Sequence, residues 1–181
     1  MSDGGDQHPR VAIRRRDRGK DDAWIRAFLT QAHFGFLATV GEDGQPFLNS
    51  NIFVFEEEKH CIYLHTHRTG RTRDTVVGHE QRVAFSVAGM GRLLPAPEAL
   101  AFSVEYAGVV VFGTGTIVED QEEATHGLRI LLEKYAPHLR YGEDYRATTA
   151  DELKRTAVFR IDIEAWSGKQ KEAPEDFPGA F

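Results

Sequence analysis

Between Phe36 and Thr66 the chain carries three short runs of β-branched, aromatic and other apolar residues, separated by connections of only a few residues. The first run is Phe36 to Val40. Glu42-Asp43-Gly44-Gln45 follows with the chemistry of a tight turn, because Gly44 is free to take positive φ. Pro46 opens a second run that reaches about Phe55, and the acidic stretch Glu56 to Lys59 separates it from a third, Cys61 to Thr66. Two such close connections in succession imply an antiparallel meander. In the second run Phe47, Asn49, Asn51, Phe53 and Phe55 share one side, and Leu48, Ser50, Ile52 and Val54 the other, by the two-residue period of a strand.

The flanking sequence fits around this meander. From Asp21, a capping residue, Trp24, Ile25, Phe28, Leu29 and Ala32 form one apolar stripe of a helix. Thr69 to Gly78 reads as a short helix and Arg82 to Ala88 as a fourth strand. Gly89 to Leu100, with its prolines and glycines, reads as a mobile loop carrying Met90, Leu93 and Leu94. Val104 to Val118 is a long strand. A helix begins at Asp120 or Thr125 and stops at Pro137, and Ala157 to Trp166 is the last strand. Six strands adjacent in sequence with two main helices predict a mainly β fold: one six-stranded antiparallel barrel, closed or split, with peripheral helices. Residues 21–181 form a single domain in this reading, and the polar stretch 1–20, with Arg14, Arg15 and Arg16, a flexible N-terminal arm.

Charge and cysteine content narrow the function classes. A net charge of −6 argues against general nucleic-acid binding, which usually uses a basic face. The one cysteine, Cys61, excludes an intramolecular disulfide and fits a reducing compartment. No apolar run is long enough to span a bilayer, and Met1 to Lys20 lacks the apolar stretch of a signal peptide, so the expectation is a cytoplasmic protein.

The chemistry concentrates in Ile62 to Arg73, where a strand ends in a polar turn and cations gather at a helix start. Amides at a helix N-terminus, a permissive Gly70, the hydroxyls of Thr66, Thr69 and Thr72, and a forked contact from Arg71 or Arg73 would together hold an anion. By spacing alone the stretch reads as a solvated helix start rather than an anion site. His65 and His67 share a strand face, but His60 is not placed to complete a metal site, and no metal is expected.

The ordered set Leu37-Ala38-Thr39-Val40, Asp43-Gly44-Gln45-Pro46, Ile62 to Arg73, Arg82 to Phe85, Val109 to Thr114 and Ile163 to Lys169 resembles the pyridoxamine 5'-phosphate oxidase superfamily, whose fold is the FMN-binding split barrel. Tyr63-Leu64-His65-Thr66, Gly70-Arg71, Leu93-Leu94-Pro95 and Leu153-Lys154-Arg155-Thr156 look most like its nitroimidazole-resistance (Nim) and flavin-binding members. The resemblance implies FMN as cofactor, with Arg71 on the phosphate and Arg73 replacing a cation absent at Gly70. It implies that Asn49, Ser50, Asn51 and Ile52 run along the flavin, with Leu64, His65 and Thr66 beside it. His65 is implied as a catalytic proton source. It further implies a homodimer with shared active sites, in which Trp166 closes over the flavin from the partner subunit. Val54 and Glu172 stand where the oxidases use cations for their substrate, so that reaction is not expected. The expected activity is reduction of small molecules such as nitroaromatics. The alternative is a non-catalytic carrier of flavin, haem or deazaflavin on the same barrel.

Overall fold

The computed structural model describes residues 9–77 and 82–181. In chain order its elements are β1 (Gly19–Lys20), α1 (Asp22–Gln31), β2 (Gly35–Val40), β3 (Pro46–Asn51), β4 (Val54–Glu56), β5 (Cys61–His67), α2 (Arg71–Val77), β6 (Arg82–Leu94), β7 (Ser103–Ile117), α3 (Gln121–Tyr135), α4 (Ala150–Leu153) and β8 (Thr156–Lys171). Asp21 caps α1 by accepting from the Trp24 amide, and of the two starts open to α3 the structure uses Asp120, which accepts from the Glu123 amide.

All pairings are antiparallel, in the order β3-β2-β6-β7-β8-β5-β4, with β1 added to β8. The edge strands β3 and β4 are separated in sequence only by Ile52 and Phe53. The chain therefore steps from one edge of the sheet to the other there, and the sheet curls into a barrel that is split at this place. That step overturns the expectation of a single strand from Pro46 to Phe55. The Phe53 amide, with no strand partner, donates to the Tyr135 hydroxyl, and its carbonyl accepts from the same hydroxyl, each at 3.1 Å. With this division and the added β1, eight strands stand where six were expected, and the mainly β split-barrel class holds.

Two segments are more ordered in structure than their composition suggests. The stretch read as a mobile loop from Gly89 is strand as far as Leu94, bulged between Met90 and Leu93. The Arg92 fork holds Glu105, whose carboxyl is held down at about 2 by that contact and by the amides of Ala173 and Arg92. Leu93 exchanges backbone hydrogen bonds with Phe181, which seats the C-terminal tail beside this extension. Of the N-terminal stretch, residues 1–8 lie outside the described residues, as does the expected helix end at Gly78. From Pro9 onward the chain lies against the sheet: Val11 is buried, and Gly19 and Lys20 pair with Lys169 and Gly168.

The barrel interior holds Leu37, Phe53, Phe85, Ile62, Leu64, Val87, Val109, Val111, Phe159 and Ile161. Helix α1 plugs one mouth with Ile25 and Leu29, and α2 covers the other with Val76. A second cluster lies outside the barrel, where α3 packs Ala124 and Leu131 on Cys61, Tyr63, Val54 and Val158. The shift in β7–β8 register at Phe112/Gly113 needs glycine, since a Cβ at Gly113 would lie 2.0 Å from the Asp162 carbonyl oxygen.

Candidate functional site

Strand β5 pairs with β8 along its whole length but with β4 only through Cys61, Ile62 and Tyr63. Residues 64–67 thus keep one edge without a strand partner, and β3, at the end of the sheet order, keeps another. Ile52 and Phe53 join the bases of these two edges. The three links from Asn51 to Val54 reach at most about 11 Å, so the edges diverge from one corner and form a slot. Helix α2 closes its far side. The Asn49 side-chain amide donates to Thr72 at 2.8 Å, and Thr39 donates to Thr75 at 2.7 Å, which in turn donates to the Arg71 carbonyl. These contacts hold the helix start against β2 and β3.

The two segments singled out in the sequence, Asn49 to Ile52 and Leu64 to Thr66, are therefore the two walls of one slot. Their side chains have different fates. Asn49 and Asn51 share the interior face with Leu37 and Gly35, their partners across β2, and Asn51 donates to the Asn49 carbonyl. Ser50 and Ile52 point outward. The Leu64 side chain is 1% exposed in the barrel core, so only its backbone can meet a ligand. His65 lies on the outer face with Tyr63. Its Nδ1 is buried with no hydrogen-bond partner, and burial pushes the imidazole pKa below its usual value, which favours the neutral ring.

Thr66, His67, Glu152, Arg155 and Thr156 join His65 around a cleft of about 370 Å³. Of its charged groups, Glu152 is already engaged by Arg146 and by the Thr149 amide. Arg71 is exposed over the Phe47 ring, 4.8 Å from its centroid, whereas Arg73 sits 3.8 Å from Asp74 and is partly neutralised. Gly70 precedes them at φ +150°, a conformation that favours glycine.

Trp166 lies apart from this group, at the α1 mouth. Its indole nitrogen donates to Asp22 at 2.8 Å, with the Arg26 guanidinium 5.0 Å from its ring and His60 packed edge-on at 4.6 Å. Arg155 and Thr156 reach the His65 cleft through β5–β8 pairing, in which His67 stands opposite Thr156. That placement is long-range, and the only local signal for it was their membership of the Nim-like motif. Phe47 beneath Arg71 had no signal at all.

This arrangement is that of the split-barrel class. The chain belongs to the pyridoxamine 5'-phosphate oxidase family, whose model matches residues 21–170. No curated protein matches the sequence significantly. Among solved structures, the flavocytochrome Anf3 from Azotobacter vinelandii is 21% identical, with 92% of this chain and 76% of that one covered at a TM-score of 0.78. The FAD and heme binding protein from Mycobacterium smegmatis is 20% identical, covering 86% and 74% at 0.74. A candidate 5-nitroimidazole antibiotic resistance protein from Bacteroides thetaiotaomicron is 19% identical, covering 84% and 89% at 0.68. At such identities the likenesses establish the fold. No helix among the described residues is long and apolar enough to cross a membrane.

Proposed function

We propose that this chain is a flavin-binding oxidoreductase that holds FMN in the slot between β3 and β5 and reduces small flat molecules such as nitroaromatics. The carrying observation is that slot: two strand edges without partners, an exposed arginine at one end and an orphaned, buried imidazole nitrogen beside it. These features fit the group. Arg71, with the hydroxyls of Thr66 and Thr69, would hold the phosphate, and Arg73 would add less because Asp74 already offsets its charge. The free backbone edges at Asn49 to Ile52 and Leu64 to Thr66 would meet the polar rim of the ring. His65, neutral near pH 7, would hold or pass a proton at Nδ1. Bound FMN, once reduced by an external donor such as a nicotinamide, would pass electrons on one or two at a time. The oxidase reaction of the family's name is not part of this reading: Val54 is buried beneath α3, and the Glu172 carboxylate accepts from Gln170.

The same reading takes the protein as a homodimer. Two rows of residues cross the outer face of the sheet in register, Leu48–Ala38–Ala84–Phe112–Ala165 and Ser50–Phe36–Ser86–Val110–Ser167. All ten are uncharged, and Leu48 and Phe36 are 65% and 47% exposed. The rows span five strands, about 19 Å at a strand spacing near 4.8 Å. A charge-free face of that breadth suits a second copy of the chain. Ala84→Lys should convert a dimer to a monomer in light scattering after size exclusion, and an unchanged mass would move the interface elsewhere.

A second reading, a carrier that binds haem in place of flavin, is favoured by one observation: His65 Nδ1 has no partner beside an open cleft. A deazaflavin would use the same slot as FMN. The visible spectrum of the purified protein, before and after FMN addition and dialysis, tests these readings together. A retained flavin band supports the first, a Soret band the second, and a colourless protein that cannot keep FMN removes the flavin assignment. Reduction by a nicotinamide followed by reoxidation with a nitro compound then separates an enzyme from a carrier.

A further inference from the structure

The cleft beside His65 has a charge balance of its own. Glu152 is the carboxylate in its lining, and that charge is already matched. Both Glu152 oxygens accept from the Arg146 fork at 2.9 Å, and Oε2 also accepts from the Thr149 amide and hydroxyl at 2.8 and 3.0 Å. His67 is engaged as well: its Nδ1 accepts from the Thr69 amide at 3.2 Å and lies 2.9 Å from the Thr69 hydroxyl. The cations nearest in sequence are committed elsewhere. Lys154 donates to Asp151 at 2.8 Å, and Arg68 reaches the Leu153 carbonyl and Glu119 at the edge of a different cavity. Arg155 is the exception. Its side chain lines the cleft, is exposed, and has no partner among the described residues.

The backbone of Arg155 is fixed although its guanidinium is free. Its amide donates to the Glu152 carbonyl at 3.0 Å, which closes α4, and its carbonyl accepts from the Arg68 amide at 2.9 Å, which extends the β5–β8 pairing by one step. An unpaired planar fork on a fixed backbone loses little freedom when it binds, and it matches a planar carboxylate with two parallel hydrogen bonds. The rest of the lining suits the same partner. Thr156 adds a hydroxyl, and His65 brings an uncharged ring, held so by burial, whose Nδ1 has no hydrogen-bond partner. A volume of about 370 Å³ takes a single-ring acid. Because His65 belongs both to this cleft and to the free edge of β5, a molecule anchored here lies beside the slot.

We propose that the His65 cleft is the substrate subsite of the slot and that the substrates it selects carry a carboxylate, held by the Arg155 fork. This deepens the flavin reading and rests on it for the reduction, whereas carboxylate binding needs no cofactor. The first test is calorimetric titration of the purified protein with benzoate and, separately, with neutral benzamide, at low and at high salt. Benzoate is expected to bind at least about tenfold more tightly than benzamide, the worth of a charge-assisted contact, and to weaken as salt screens the exposed guanidinium. Arg155→Gln should weaken benzoate by about tenfold or more. Arg146→Gln leaves Arg155 in place but unbalances Glu152, and it should weaken benzoate more than benzamide. The second test is reduction by the FMN-loaded protein with a nicotinamide as donor, each nitro group taking two electrons and two protons to give nitroso and water. The kcat/KM for 4-nitrobenzoate should exceed that for 4-nitrobenzamide by about tenfold or more, and Arg155→Gln should remove the difference. No benzoate binding at millimolar concentration, equal binding of benzamide, tighter binding of inorganic phosphate than of benzoate, or wild-type benzoate affinity in Arg155→Gln would overturn the proposal. Benzoate binding in the expected pattern by a protein that cannot keep FMN would remove the flavin assignment and leave the subsite standing. Nitro reduction with no preference for the carboxylate would do the reverse.

Discussion

The two mouths of the barrel are closed by opposite chemistry. At the α1 mouth the seal is apolar and aromatic. Ile25 and Leu29 are buried, Trp24 stacks on Phe28 at 4.8 Å, and a Cβ at Gly168 would meet Ile25 at 2.6 Å. A charged group there also serves the seal: the Lys134 ammonium donates to the Ala32 carbonyl at α1's end and lies 4.0 Å from the Phe53 ring centroid. At the α2 mouth Val76 is a deeply buried aliphatic of the helix, and beside it the seam carries hydroxyl and amide contacts, Asn49 with Thr72 and Thr39 with Thr75. An apolar plug contributes stability in proportion to the area it covers. A polar seam contributes less and leaves donors and acceptors at hand for a ligand. The α1 end thus carries the larger share of stability, and the α2 end is where the proposed function places binding.

The largest effect should come at the stable end. Leu29→Ala, which empties a fully buried site, should cost about 2–5 kcal/mol in urea unfolding with FMN retention unaltered in the folded protein. A cost near zero would mean that the plug is decorative and would break the comparison. Next comes the binding end. Arg71→Glu removes an exposed charge that supports no buried contact, so the melting temperature should hold. FMN affinity should fall by about 10- to 100-fold, the worth of one charge-assisted hydrogen bond. Unchanged affinity would take the phosphate away from this helix.

The smallest effect concerns pH. The His65 pKa lies below the ordinary 6.5 because burial disfavours the charged ring. Between those two values the unfolded chain binds more protons than the native one, so stability falls as pH drops from 7 through 6.5 toward the folded value. His65→Gln should flatten that acid limb in denaturation curves taken across it, while Leu29→Ala should lower the whole curve and keep its slope. If both variants keep the wild-type slope, His65 does not titrate as buried.

Much of this architecture was legible in local pattern. The Gly44 turn, the alternation through Asn51, the Asp21 and Asp120 caps and the run of adjacent strands are short-range signals, because turn and strand preferences are decided within a few residues. They were enough for an antiparallel barrel and for the two segments that became the walls of the slot. The break at Ile52 and Phe53 was not legible. Both residues continue the strand pattern of their neighbours, and what ends pairing there is the Tyr135 hydroxyl, 82 positions away, which takes the place of a strand partner. The same limit applied to Leu64, whose alternation was compatible with either face until the barrel closed around it, and to Gly89–Leu94, whose glycines suggested mobility before Arg92 found Glu105 and the tail.

By itself, then, the sequence determined the main helices, the Gly44 turn and the cores of six strands, and that cations and hydroxyls would gather after β5, since those follow from the chemistry of neighbouring residues. Only the tertiary structure decided where the sheet splits, that Trp166 packs on Asp22, Arg26 and His60 at the α1 mouth of its own chain, and that Arg155 stands beside His65. Each of these is a contact between distant parts of the chain, and its free energy exists only once the sheet has curled and brought them together.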